Sequence, residues 1–472
     1  MLKKGHLLSN TVVLGISAVI SKMTAFLMMP IYTAALSPAS FGTVDILVNT
    51  AVLLIPLVSM GAPEAVFRFL AGGGREADVL AVGRSLLGIG GLLLLLLIPL
   101  FWLSTFYRPF VLYLFCYVAL AVFHSFVSYV LRARGEYTLY AVQQLFCTLT
   151  TTALAFLFLK VLSLGERGYL MSVFLADGIT ALILSGYLFR EREKATAQAG
   201  LGQFGPMIRY ALPLIPTATL WWALAYFDHF LLLRYFGAEI TGVYAAAAKF
   251  PALLTFAVGI FLEAWHYAAL HTGEGERGAL FERIYAALVP VLLLFSLMLI
   301  LCAPFLVELL LAADFVEALH YVPILTVAAF FSALSSFLGS VYMVKLRSGA
   351  SLMTALVGAA VNLLLGFLWI PTKGAEGAML ATLCAYLAVF LWRAVHCRKL
   401  LPFRQVGGKL AISSAGLLLT AYAAIGQKRL TAVLLAVATL LPFVGEMRTM
   451  VREMWQYGRK ICGFSTKKAK RS

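Results

Sequence analysis

Two lysines stand where a charge is expensive. Lys22 and Lys249 fall inside long apolar runs, Lys249 in the stretch GVYAAAAKFPALLTF. A Lys at the centre of a membrane span costs about 2.5–3.5 kcal/mol even on lenient scales, so it marks a functional position by default. Polar residues recur around them at helical spacing. Asn10, Ser17, Ser21 and Thr24 form one stripe beside Lys22. Asp45, Asn49, Pro56, Ser59 and Pro63 form a second, leading to Glu64 and Arg68. Thr217, Trp221 and Asp228 share a third face, with His229 adjacent, and Lys249, Phe256, Glu263 and His266 a fourth. A basic lumen implies an anionic ligand, and a phosphate or diphosphate suits the point charge of Lys. Nearby Trp221, Trp222 and Tyr226 offer flat faces to sugar rings or belong to an interfacial aromatic belt. The candidate cavity residues are Lys22, Lys249, Arg68, Asp45, Asp228 and Glu263. Of these, Arg68 and Asp45 lie near span ends, where snorkelling to the headgroups also satisfies them. Asp177 and Asn362 read as hydrogen-bonded packing residues and His124 as structural.

The elements that must position these groups are membrane helices. The 472 residues are 62% hydrophobic and 12% charged, about half the charge of a soluble domain. Apolar runs of about 20 residues recur from end to end, and barrel-type alternation is absent, so the fold class is an all-α polytopic membrane protein. About fourteen spans are expected, near 9–35, 43–67, 84–105, 110–131, 139–161, 168–189, 208–235, 242–268, 281–303, 320–344, 350–370, 375–396, 408–426 and 429–446. The opening MLKKGHLLSNTVVLGISAVISKM reads as a retained first helix. Ala303–Tyr321, with Glu308, Asp314 and Glu317, reads as an amphipathic connection outside the membrane.

Charge orients the layout. The net charge is +16. With the N-terminus inside, about 28 Lys and Arg fall on the inner side and about 7 on the outer, which puts both termini in the cytoplasm. That asymmetry accounts for the basic balance without a nucleic-acid partner. The six cysteines show no paired spacing, so neither a disulfide nor a metal is expected. There is no Walker A, HExxH or GxSxG setting, and no cofactor is expected.

The polar linker REREKATAQAGLGQFG (Arg190–Gly205) divides the chain. Leu36 onward aligns with Phe236 onward at an offset near 200 residues, pairing Gly42 with Gly242 as the glycines entering equivalent helices. The expected organisation is therefore a six-helix bundle over 1–190, a cytoplasmic linker over 191–206, a second six-helix bundle over 207–400, two extra helices over 401–447 and a basic cytoplasmic tail over 448–472, with the two bundles as a parallel repeat.

The segment SKMTAFLMMPIYTAALSPASFGTVDILVNTAVLLIPLVSMGAPEAVFRFLA (Ser21–Ala71) resembles the opening of the polysaccharide-transporter flippases of the multidrug/oligosaccharidyl-lipid/polysaccharide exporter superfamily. The matching features are the P-x-Y-T at Pro30–Thr33, LSPASFG at Leu36–Gly42 and the ending at Arg68 and Phe69. FGAEITGVYAAAAKFPALL matches the corresponding pattern of the second half. The resemblance implies two bundles in a V and translocation of a lipid-linked oligosaccharide by alternating access. It also implies basic cavity residues that bind the diphosphate, a role falling on Lys22 and Lys249 where related flippases carry Arg. The expected location is the bacterial cytoplasmic membrane. Expected partners are the phospholipid bilayer, the lipid-linked oligosaccharide, and glycosyltransferases and a polymerase of the same pathway.

Three other readings stand beside an undecaprenyl-diphosphate-linked oligosaccharide flippase: a peptidoglycan-precursor flippase, a cation-coupled multidrug exporter, and a membrane glycosyltransferase or polymerase. Lys22 and Lys249 argue against a cationic cargo. The short loops argue against a catalytic domain, and the chain reads as a non-enzyme.

Overall fold

The computed structural model describes residues 15, 17, 19–21, 23, 24, 26–192, 202–401, 403, 407–448 and 452. Helix is the regular structure throughout the described residues. The order is α1 (Met29–Ala35), α2 (Pro38–Val58), α3 (Ala62–Ala71), α4 (Glu76–Leu103), α5 (Val111–Ala133), α6 (Tyr137–Ala155), α7 (Gly165–Arg192) and α8 (Phe204–Ala211). There follow α9 (Leu214–His271), α10 (Glu274–Leu310), α11 (Ala318–Val344), α12 (Ser348–Lys373), α13 (Ala375–Leu400), α14 (Gly407–Ile425) and α15 (Arg429–Leu440).

Among the described residues, 12 helical runs are long and apolar enough to cross a membrane. One of them contains α9, whose 58 residues would extend about 87 Å, nearly three times a bilayer core. Gly237, at φ 83° and ψ 179°, breaks that run and resolves it into the two expected spans. The first expected span is described in part, continuously from residue 26. α4 carries exposed apolar surface, with Leu96 76% and Leu103 82% exposed; in water such a surface would be an aggregation hazard, whereas hydrocarbon solvates it favourably.

Two local features depart from the span pattern. The expected span 43–67 is two helices, because Met60 and Gly61 both take left-handed backbone angles between α2 and α3. Gly61 tolerates that conformation, and the following Ala62-Pro63 starts a new helix, where a proline near the first position costs no hydrogen bond. The segment Ala303–Tyr321 is more helical than expected. α10 continues to Leu310, a single 3₁₀ turn covers Ala313–Phe315, and α11 begins at Ala318. This connection is packed: the Ala312 amide donates to Thr33 Oγ1 at 3.1 Å, and Phe315 meets Phe41 edge-on at 5.6 Å.

The described chain packs as two compact units. One comprises Met1–Ala246, Glu308–Glu317 and Ala359–Ala381, the other Ala247–Val307, Ala318–Gly358 and Thr382–Ser472. In the first unit α2 starts cleanly: Ser37 caps it by accepting from the Ser40 amide at 3.2 Å, and Pro38 occupies the first turn. α2 then touches α9 backbone to backbone. A Cβ added to Gly42 would lie 2.0 Å from the Ala238 carbonyl oxygen, and one added to Gly242 would lie 1.8 Å from the Pro38 carbonyl oxygen. The contact is reciprocal, 42 on 238 and 242 on 38, and the paired positions differ by the 200-residue offset seen in the sequence. Small residues are what permit such close helix approach in membranes. In the second unit α11 is buried along most of its length, and Trp265, Phe281, Tyr285, Phe337 and Phe403 form an aromatic core around it. Trp265 Nε1 donates to Ser340 Oγ at 2.8 Å, so its polar edge is satisfied inside that core.

Candidate functional site

The glycine contact fixes α2 against α9 just after the break at Gly237, and the polar residues of α2 meet those of α9 beside it. Asp45 of α2 is buried, and its Oδ2 accepts from His229 Nδ1 at 2.6 Å and from Asn49 Nδ2 at 2.8 Å. Asn49 is one helical turn from Asp45, which is why the two share a face. Asp228, on α9, is only 2% exposed. Its Oδ2 accepts from the Tyr244 hydroxyl at 2.7 Å, and its Oδ1 accepts from the His229 amide at 3.0 Å. His229 Nε2 lies 3.9 Å from Asp228 Oδ1. One imidazole thus stands between two buried carboxylates, with Tyr244 and Tyr226 edge-on to its ring at 5.1 and 6.0 Å. Charge buried in a low-dielectric interior has to be paired and hydrogen-bonded, and this group meets both conditions.

Further along the same face, the Asn49 carbonyl accepts from Trp222 Nε1 at 2.8 Å. That bond fixes the indole at the wall of a cavity of about 450 Å³, lined by Pro56 of α2, Ser59 just past its end, Glu64 of α3 and Trp221, Trp222 and Tyr226 of α9, among others. The volume is that of a small-ligand site. Its chemistry is specific. Three aromatic side chains, the Glu64 carboxylate and the hydroxyls of Ser59 and Ser125 are among its lining groups. A polyhydroxylated ring, apolar on its faces and polar at its edge, fits such a lining. The kink at Met60–Gly61 is what turns Glu64 into this wall: α3 starts afresh there, with Glu64 in its first turn, where the helix dipole favours a carboxylate.

The expected site residues fall in different places. Asp45 and Asp228 come together on His229. Arg68 is exposed on α3, one turn beyond Glu64. Lys249 and Glu263 are exposed on α9 past Ala246, in the second unit. Lys22 lies outside the described residues. His229, Asn49, Tyr244 and Glu64 are the participants that the candidate set left out. The signal for His229 was present: an Asp-His pair on one apolar helix, and an Asp one turn from an Asn on another.

A second polar cluster ties three helices of the same unit. His124 of α5 shares its Nδ1 with Asp177 Oδ1 of α7 and its Nε2 with Gln143 Oε1 of α6, each at 2.7 Å. Cys147 Sγ approaches the same Asp177 oxygen at 3.5 Å. His124, Cys147 and Asp177 offer nitrogen, sulfur and oxygen within 4.8 Å of one another, a set able to hold a metal ion, and in this structure the imidazole and carboxylate engage each other. The cluster bonds helix to helix, as expected of His124 and Asp177 from the sequence.

The family described as "Polysaccharide biosynthesis protein" matches residues 7–265. No curated protein matches the chain. Among solved structures, the lipid II flippase MurJ in an inward closed conformation is similar with a TM-score of 0.66 at 12% identity, covering 94% of this chain and 100% of that one. An inward-facing multidrug resistance MATE family transporter of the MOP superfamily gives a TM-score of 0.63 at 15% identity, over 82% of this chain and 98% of that one. A MOP superfamily transporter from Pyrococcus furiosus, described as having a binding pocket of reverse polarity, gives 0.54 at 15% identity, over 83% and 96%.

Proposed function

The chain belongs to the polysaccharide biosynthesis protein family, and from that premise we propose that it is a multi-pass membrane flippase of the MOP superfamily whose cargo is an undecaprenyl-diphosphate-linked oligosaccharide, moved across the bacterial cytoplasmic membrane by alternating access. The observation that carries this reading is the cavity of the first unit, lined by Trp221, Trp222 and Tyr226 together with Glu64 and Ser59. Its lining is suited to sugar. Lys249, exposed at a position deep within an apolar run, supplies positive charge for the diphosphate. The same role is assigned to Lys22 from its place in the sequence. The division at the Arg190–Gly205 linker into two six-helix bundles, with two further helices and cytoplasmic termini, is part of the same proposal.

Translocation here is binding and conformational change, with no bond made or broken in the cargo. An anion leaving an inside-negative cell is helped by about 2.3 kcal/mol per charge per 100 mV, so a diphosphate needs no nucleotide. The Asp45–His229–Asp228 group is placed to hold α2 and α9 in register while the cavity is occupied. The test is a flipping assay in proteoliposomes with defined lipid-linked sugars, reading the arrival of sugar at the opposite leaflet. A second reading has its own observation: Glu64 in the cavity wall suits a cationic cargo of the multidrug type. In the same assay that reading predicts competition by organic cations and no dependence on the oligosaccharide.

A further inference from the structure

Among the described residues that line the cavity of the first unit, Glu64 is the only charged side chain. It is half-buried, and its carboxylate makes no hydrogen bond or ion pair with any described residue. The arginines nearest it in the fold are engaged elsewhere or turned to the surface. Arg132 of α5 lies over the Phe67 ring at 5.0 Å and the Tyr140 ring at 6.0 Å. Arg134 bonds Glu76, and Arg68, one turn beyond Glu64, is exposed. What α3 itself supplies is the partial positive charge of its N-terminus, in whose first turn Glu64 stands. A half-buried carboxylate is costly without a partner, so this position favours a ligand that brings the cation.

The rest of the lining says what kind of cation. Trp221, Trp222 and Tyr226 are all part of it, and aromatic rings attract ammonium groups through their quadrupole, Trp most strongly. Trp222 is held in place by its bond to the Asn49 carbonyl, so its N–H is committed within the protein. The hydroxyls of Ser125 and Tyr226 bond no described residue and remain able to donate or accept. An unpaired carboxylate, aromatic rings and open hydroxyls together suit an ammonium carried on a hydroxylated ring. A carboxylate on the ring would instead meet Glu64 as a like charge.

We propose that the oligosaccharide accepted by this cavity carries a sugar with a free amino group, whose ammonium pairs with Glu64, and that Glu64 disfavours acidic sugars. The inference rests on the reading of the cargo as a lipid-linked oligosaccharide and names the class of sugar within it. It also gives the Glu64 charge a role that needs no multidrug cargo. The purified full-length protein is titrated with glucosamine, N-acetylglucosamine, glucuronate and ethanolamine, with binding followed by microscale thermophoresis at about pH 6, where an amine of this kind is protonated. Wild type is expected to bind glucosamine at least about tenfold more tightly than N-acetylglucosamine, and glucuronate most weakly of the three sugars. Glu64→Gln is expected to bring glucosamine within about threefold of N-acetylglucosamine, and Glu64→Asp to keep the preference. Unchanged N-acetylglucosamine binding by Glu64→Gln reports that this variant is folded. Equal wild-type affinity for glucosamine and N-acetylglucosamine, a preference that survives in Glu64→Gln, ethanolamine binding as tightly as glucosamine, or no sugar binding would each overturn the proposal. A proteoliposome flipping assay on two lipid-diphosphate-linked glycans, one ending in glucosamine and one in N-acetylglucosamine, separates the two levels of the argument. Faster flipping of the glucosamine glycan supports the proposal. Equal rates overturn the amino-sugar inference alone, and flipping of neither overturns the oligosaccharide reading with it.

Discussion

At the scale of single residues, His229 is the hub of the first unit's polar group. It bonds Asp45, which lies 184 residues away in sequence, at 2.6 Å. Replacing it with Ala leaves two buried carboxylates facing an emptied site, and removing one partner of a buried pair costs about 3–5 kcal/mol. His229→Ala is therefore expected to lower the thermal unfolding midpoint of the purified protein clearly. His229→Gln keeps a donor toward Asp45 and is expected to fall between the two; an Ala variant as stable as wild type would show that the group does not hold α2 to α9. Trp221 is a different case. It lines the half-buried cavity wall, and its replacement by Ala is expected to cost less stability than His229→Ala while reducing transport of a lipid-linked oligosaccharide about tenfold or more, in line with aromatic hot-spot losses. Wild-type transport by Trp221→Ala would remove the sugar role from this cavity. The candidate residues were legible unevenly. Asp45 and Asp228 were found by spacing because both lie on apolar faces at helical intervals. Their common partner was not, because spacing reports which residues share a helix face and carries no register between helices far apart in the chain.

At the scale of elements, the α2–α9 contact rests on two glycines. Carbonyl oxygens at 2.0 and 1.8 Å from the Cβ positions belong to backbone and cannot swing away. Gly42→Ala or Gly242→Ala must push the helices apart, and overpacking of that kind costs about 1–3 kcal/mol or more. Each variant is expected to show a lower unfolding midpoint, with a loss of transport that Gly88→Ala, at a glycine with open space around it, does not show. Equal stability of all three would mean that the helices are not held at backbone distance. The sequence alignment had already paired Gly42 with Gly242 as equivalents, and the structure shows the equivalents touching. Most helix positions among the described residues were legible, since apolar length and glycine punctuation set them. The break at Met60–Gly61 was not: the apolar run continues through it, and only the left-handed pair interrupts the helix. The continuation of α10 to Leu310 was hidden for the opposite reason, since Glu308, Asp314 and Glu317 marked the whole of Ala303–Tyr321 as an amphipathic connection.

At the scale of the whole molecule, the Lys/Arg asymmetry is the basis for topology. A cysteine introduced at Ala197 is expected to react with a membrane-impermeant thiol reagent only in opened cells, and labelling in intact cells would reverse the layout. Transport is expected to proceed without ATP turnover by the purified chain, because no nucleotide-binding motif stands in the sequence. The central claim, that the cargo is a lipid-diphosphate-linked oligosaccharide guided by intramembrane positive charge, is tested most directly by one measurement. Wild type, Lys249→Arg and Lys249→Ala are reconstituted into proteoliposomes carrying undecaprenyl-diphosphate-linked oligosaccharide in one leaflet, and the fraction reaching a membrane-impermeant glycosidase on the other side is followed with time. The account predicts rapid exposure with wild type, partial exposure with Lys249→Arg and, for Lys249→Ala, folded protein with a rate at least about tenfold lower, the worth of a single charge on a diphosphate across a hydrated site. Wild-type rates from Lys249→Ala, or no exposure above protein-free vesicles with any of the three, would contradict it.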